Sequence, residues 1–269
     1  MDTTDTLAMW RAWQEAQKLS QRTITDRALI VAKLARYSGQ AAHLLGPDEL
    51  IAFLRRRQLS PNSAHTYYVA MTAYFGWLVA IGLREDNPCE KLPKIRRKAG
   101  KPRPISNAEA ARLLATVNRR KTRMMVLLGM FAGLRAHEIA KIRGEDVDLV
   151  ERTLFVVGKG GAAEVVPLHD RIAEYSSQFP TAGFWFPSGS GHIKRGAVST
   201  TVGKAMRRAG IAEGSAHRLR HWYGSELSRR GVDIRVVQEL MRHESIASTQ
   251  IYTHVDDSRR RAGIGLLAA

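Results

Sequence analysis

Five side chains spread along the second half of the chain, Arg135, His217, Arg220, His243 and Tyr252, could together act on a phosphodiester. Attack on phosphorus builds negative charge on the non-bridging oxygens, and preorganised cationic donors there supply a large part of any rate gain. A guanidinium suits that position because its planar fork stays charged and can bind two oxygens at once. Imidazoles can move or share protons near neutral pH, and a phenol can serve as nucleophile. Taken singly, each residue has a duller explanation. A lone arginine on a basic protein is usually a solvated charge, a helical histidine is usually packed or exposed, and Tyr252 alone reads as packing. Order and spacing change that balance. His217 and Arg220 stand three positions apart, on one helix face. His243 precedes Tyr252 by nine positions.

These residues need elements to carry them. Arg135 follows Gly133 where the apolar run from Met124 to Gly133 meets the next helix, and a backbone bend there could aim it outward. His217 to Arg230 reads as a helix stopped by Gly231, and Ala197 to Ala209 and Asp233 to Met241 read as helices too. A final short helix is expected to carry Tyr252. Thr153 to Val157 and Glu164 to Pro167 are β-rich, and Gly158-Lys159-Gly160-Gly161 between them predicts a hairpin. Ser106-Asn107-Ala108-Glu109 is a capping-box pattern that opens this second domain.

The first ninety residues read as four helices. Leu7 to Leu19 and Thr25 to Tyr37 have helical apolar spacing, Pro47-Asp48-Glu49 opens a third helix, and Ser60-Pro61 introduces the longest, up to Gly82. Short connections between them predict a small bundle ended by Asn87-Pro88. Residues 91–104 hold seven Lys/Arg side chains among prolines and lack apolar periodicity. They read as an extended basic linker, suited either to a strap along phosphates or to a solvated connector. The expected organisation is a helical domain over 1–90, a linker over 91–104, and a mostly α domain with one small β-sheet over 105–269.

Charge narrows the class of partner. The 269 residues include 42 Lys/Arg against 25 Asp/Glu, a net charge of +17. Residues 1–104 carry 17 basic and 9 acidic side chains, and 105–269 carry 25 and 16, so both halves are basic. A polyanion contacted along the whole chain fits this better than a neutral enzyme with a basic tail. The single cysteine, Cys89, excludes an internal disulfide or a multi-cysteine zinc site. An acidic start and no apolar run near the roughly 20 residues of a membrane helix lead to the expectation of a cytoplasmic protein without membrane association.

The ordered contexts go further than the single residues. Gly133-Leu134-Arg135-Ala136-His137-Glu138-Ile139 is followed by His217-Arg218-Leu219-Arg220-His221, then by His243 and Gln250-Ile251-Tyr252-Thr253-His254-Val255. In these motifs the chain resembles the tyrosine recombinases, the phage integrase and Xer family, and the last motif is the most specific. The resemblance spans nearly the whole chain. It implies a four-helix, SAM-like DNA-clamping domain followed by an α+β catalytic domain. It implies that Tyr252 attacks the scissile phosphate, forming a 3′-phosphotyrosyl link and freeing a 5′-hydroxyl, with no metal, ATP or other cofactor. Arg135 and Arg220 would then hold the non-bridging oxygens, His217 would help move the tyrosyl proton, and His243 would hydrogen-bond the phosphate. Lys159 would protonate the departing 5′-oxygen, and Glu138 and His221 would support the site.

The partners implied are double-stranded DNA with core-type recombination sites and a homotetramer assembled on it, with a directionality factor as a further option. The apolar end, residues 262–269, is expected to dock into a neighbouring protomer. The clamp begins almost at residue 1, which leads to the expectation of a compact type without an arm-binding domain. Two departures stand out. Arg242 occupies the place before the histidine where the family usually has glycine, and Trp222-Tyr223 follows the second motif, with Tyr223 read as packing rather than as a nucleophile. The alternatives are a Xer-like resolvase, a type IB topoisomerase and an inactive DNA-binding relative.

Overall fold

The computed structural model describes residues 1–56, 59–96, 103–158, 163–212 and 214–242. They fall in two compact units, Met1–Gly100 and Lys101–Ala269. In the first, helix α1 (Thr3–Ala16) starts where the Asp2 and Asp5 carboxylates cap each other's backbone N–H groups. It buries Thr6, Trp10 and Gln14, one per turn. Ser20 caps α2 (Gln21–Ser38), and α3 (Pro47–Leu54) opens on proline with Asp48 and Glu49 in its first turn. Ser60 caps α4 (Pro61–Ala80), whose Met71, Tyr74, Phe75 and Leu78 are fully buried. The four helices close around Trp10, Leu34, Phe53, Tyr74 and Phe75, each contributing roughly 1.5–3 kcal/mol by leaving water. The Tyr74 hydroxyl donates to Thr6 Oγ1 at 2.8 Å, so this core leaves that polar tip satisfied.

The first unit holds the chain beyond Asn87-Pro88. Pro88–Lys91 forms a 3₁₀ turn, Cys89 and Leu92 are buried in the bundle core, and His65 Nδ1 lies 2.7 Å from the Ile95 carbonyl. The proline-rich composition therefore hides an anchored segment at the start of the expected linker.

The second unit is also mostly helical. Ser106 and Glu109 form the expected capping box at α5 (Asn107–Thr116). Helix α6 (Arg120–Phe131) is buried on nearly all sides from Met124 to Met130, as a central helix must be. It packs against α7 (Ala136–Lys141), α8 (Asp170–Ser176), α9 (Arg195–Arg208) and α10 (Ala216–Arg229). At Gly129 a side chain would meet Leu219 at 3.1 Å, which allows α6 and α10 to approach closely. Helix α11 (Ile234–Leu240) seats Val237 and Met241 against Tyr223 and Leu227 of α10.

The sheet is antiparallel, in the order β1 (Val147–Asp148), β2 (Thr153–Val157), β3 (Ala163–Pro167). Leu154 pairs with Val166 and Val156 with Glu164, which puts Leu154, Val156 and Val166 on the buried face. Besides this sheet, β4 (Pro187–Ser188) and β5 (Gly191–His192) form a small second one that residue patterning did not indicate. Lys159, His243, Tyr252, the helix expected around Tyr252 and the tail 262–269 lie outside the described residues.

Candidate active site

The site is built at three chain turns. The first follows α6. Gly133 adopts φ +60°, and a β-carbon there would lie 2.5 Å from the Tyr223 ring, so this turn needs glycine for both backbone and space. Two residues on, Arg135 stands at the N-cap of α7. Glu138, three positions later, turns its carboxylate back: Oε2 accepts the Arg135 backbone N–H at 2.7 Å and Oε1 accepts Arg135 Nη1 at 2.9 Å. The Glu138 side chain is fully buried, while that of Arg135 keeps about a third of its surface exposed, 34%. One carboxylate thus caps a helix and fixes the direction of an arginine.

The second and third turns meet the first. Arg220 on α10 is 2% exposed. Its Nη1 donates to the Gly133 carbonyl at 2.5 Å and its Nη2 to the Met241 carbonyl. Arg135 Nη2 donates to the next carbonyl along, that of Arg242, at 2.9 Å. Carbonyls just past the end of α11 therefore orient both guanidiniums. Helix C-termini leave such carbonyls without intrahelical donors and carry partial negative charge, so cations are favoured there.

Arg242 itself adopts φ +50° just after that helix, where glycine is the usual residue. Its side chain is 4% exposed, donates from Nη2 to Glu138 Oε2 at 2.7 Å, and places Nε 3.3 Å from Glu164 Oε2. The question left by the glycine replacement has a structural answer: the backbone takes the left-handed conformation, and the side chain turns to two carboxylates. Glu164 is the site neighbour that the sequence did not indicate, whereas Arg242 stood out there with its role open. The only sequence signal was an arginine in a glycine's place.

His217 lies one turn before Arg220, with its ring 4.2 Å from that of His221. Loss of surrounding water, then the positive charges of Arg220 and Arg135, lower its pKa below 6.5. The neutral, proton-accepting imidazole is thereby favoured. Burial opposes ionisation of Glu138, but Arg242, the Arg135 N–H and the Arg135 guanidinium outweigh it and hold the carboxyl below its ordinary range. Burial raises the Tyr223 pKa, opposed by Arg242 and Arg220. Packed on Gly133 and Met241, Tyr223 fills space.

The structure brings together Arg135, Glu138, His217, Arg220 and His221. Among the described residues, no three His, Cys, Asp or Glu side chains gather as metal ligands would. An open cleft of about 690 Å³ lies on the same unit, lined by Leu114, Phe131, His169, Trp222, Leu227 and others. Arg171, Glu226 and Arg230 also line it, so its walls are mixed apolar and charged.

Two guanidiniums held by fixed carbonyls, with an imidazole one turn from Arg220 on α10, can receive a phosphodiester and move a proton beside it. Comparison with known proteins agrees with that class. Residues 104–259 match the model of the phage integrase family. The chain is 32% identical over 217 residues to a tyrosine recombinase XerC of Erythrobacter litoralis, covering 75% of this chain and 71% of that protein. It is 45% identical to the solved integrase of mycobacterium phage Brujita, covering 97% and 92% of the two chains with a TM-score of 0.54. A lambda integrase tetramer bound to a Holliday junction shares the fold, with 16% identity, coverage of 96% and 80%, and a TM-score of 0.76. The chain belongs to the phage integrase family, the tyrosine recombinases, and is a site-specific DNA recombinase that cleaves and rejoins DNA.

Proposed function

We propose that the chain recombines core-type sites on double-stranded DNA as an integrase, with Tyr252 as nucleophile and Arg135, Arg220, His217, His243 and Lys159 completing the site. The carrying observation is the meeting of Arg135 and Arg220 on the Met241 and Arg242 carbonyls, immediately before His243. In this reading the Tyr252 phenolic oxygen forms a bond to the scissile phosphorus while its proton passes to neutral His217. The two guanidiniums and His243 stabilise the charge on the non-bridging oxygens. The bond from phosphorus to the 5′-oxygen breaks, and Lys159 supplies the proton to that oxygen. The covalent 3′-phosphotyrosyl ester conserves the bond energy, so a second 5′-hydroxyl can reverse the step on a new partner strand. Glu138 and His221 support the arrangement.

The integrase reading is favoured over a Xer-like resolvase by the 45% identity to a phage integrase across nearly the whole chain. The first unit serves as the DNA clamp and the basic segment 91–104 follows the phosphates, as the charge on both halves suggests. A homotetramer on DNA, linked by residues 262–269 of each copy, completes the assembly; a directionality factor would select between integration and excision.

Footprinting on candidate attachment DNA defines the core duplex, and a nicked version of it traps the covalent adduct. Tyr252→Phe is expected to abolish the adduct and retain DNA binding, whereas Tyr223→Phe keeps both. Adduct formation by Tyr252→Phe would refute the nucleophile. Relaxation of plasmids that lack the core sequence would point to a topoisomerase instead.

A further inference from the structure

Arg242 is a costly choice at its position. A non-glycine residue in the left-handed region is strained relative to glycine, and burying a guanidinium is unfavourable unless it is paired. Its contacts show what the arginine achieves there. Its carbonyl accepts Arg135 Nη2 at 2.9 Å, and its guanidinium binds the same carboxylate, Glu138, that holds Arg135 Nη1. Arg135 is therefore fixed by one residue in two ways, through the backbone and through a shared anion.

The charge count matters as much as the geometry. A carboxylate paired with Arg135 alone would orient it but also cancel its charge toward a phosphate. With a second guanidinium on Glu138, that carboxylate is shared, so Arg135 is directed by it without being its sole counter-charge. Glu164, opposite Val156 on β3 and partly solvated, sits at 3.3 Å from Arg242 Nε and anchors that arginine from the other side. At 4% exposure, ion-paired with Glu138 and Glu164, the Arg242 side chain is placed to act on Glu138 rather than to touch DNA.

We infer that Arg242 is a positioning residue for Arg135, acting through Glu138 and anchored by Glu164, so that this chain uses a buried arginine where a glycine turn would suffice for the backbone. The inference rests on the reading of Arg135 as a phosphate-gripping residue. A misdirected catalytic group lowers rate more than affinity, by about tenfold or more.

The test is single-turnover cleavage of the nicked core duplex at saturating enzyme, with DNA binding followed by fluorescence anisotropy. Arg242→Gly keeps a residue suited to φ +50° and is expected to cleave about tenfold more slowly with little change in Kd. Arg135→Lys should also be slow, and the double variant Arg135→Lys/Arg242→Gly no slower than Arg135→Lys alone. Glu164→Gln, at a partly exposed position, should slow cleavage several-fold and add nothing to Arg242→Gly; it carries the test if Arg242→Gly melts early. Wild-type cleavage by Arg242→Gly, or losses that multiply with Arg135→Lys, would overturn the inference. Wild-type cleavage by Arg135→Lys would instead remove the reading on which it rests.

Discussion

On the proposed reading, His217 is where protonation and catalysis meet in a single side chain. Its surroundings, then Arg220 and Arg135, favour the neutral ring, so its midpoint lies below 6.5 in the DNA-free protein. In the unfolded chain the same ring takes a proton near 6.5. A depressed folded midpoint contributes stability that is present above that value and is lost as pH falls toward the folded midpoint. His137 and His169 are depressed in the same direction, chiefly by burial, and add to the trend. The consequence for activity has the same sign. A protonated His217 cannot accept the tyrosyl proton, so cleavage at subsaturating DNA should hold through neutral pH and fall as pH drops through a midpoint below 6.5. Histidine NMR of the free protein locates that midpoint. His217→Gln should remove the acid limb; an unaltered limb in that variant would assign the titration to another group.

At the scale of elements, the turn after α6 decides whether the site forms. Gly133→Ala would place an alanine at φ +60° and its β-carbon against the Tyr223 ring. The backbone term is about 1 kcal/mol and the overpacking term roughly 1–3 kcal/mol, so thermal or urea unfolding should show a clear loss. Adding Tyr223→Leu should recover the packing part alone; no recovery would mean that the backbone carries the whole cost. Helices long enough to repeat, such as α4 and α10, were legible in the sequence, as was the β2–β3 hairpin, whose β-branched runs flank a glycine cluster. Two-residue strands like β1, β4 and β5 have no period to detect, and the seven-residue α8 has barely two turns. In the site, Arg135, His217 and Arg220 were singled out by type and spacing, and Glu138 only by the family resemblance. The carbonyls of Met241 and Arg242 were not, because a hydrogen bond between distant turns leaves no mark on local residue types. The role of Glu164 was hidden for the same reason.

Across the whole molecule, the first unit and the second are each basic and each has its own core, so each is suited by itself to contact a polyanion. Strand exchange needs more than one copy on DNA, and the sequence beyond Tyr252 suggests how copies are joined. Asp256-Asp257-Ser258-Arg259-Arg260-Arg261 is a charged run, and Ala262 to Ala269 is apolar apart from its glycines. On the proposed assembly, the cleft lined by Leu114, Phe131, Trp222 and Leu227, with Arg171, Glu226 and Arg230 also on its walls, would be the acceptor on a neighbouring copy. Such a link contributes to assembly but not to the contacts of one copy with its half-site. Deleting residues 262–269 should therefore leave binding to a single half-site nearly intact while reducing the higher-order complex on a full core duplex in sedimentation. Trp222→Ala, which opens the cleft from the acceptor side, should reduce it in the same way, and combining the two changes should add little. An unchanged complex size after the deletion would place the contact between copies elsewhere on the surface.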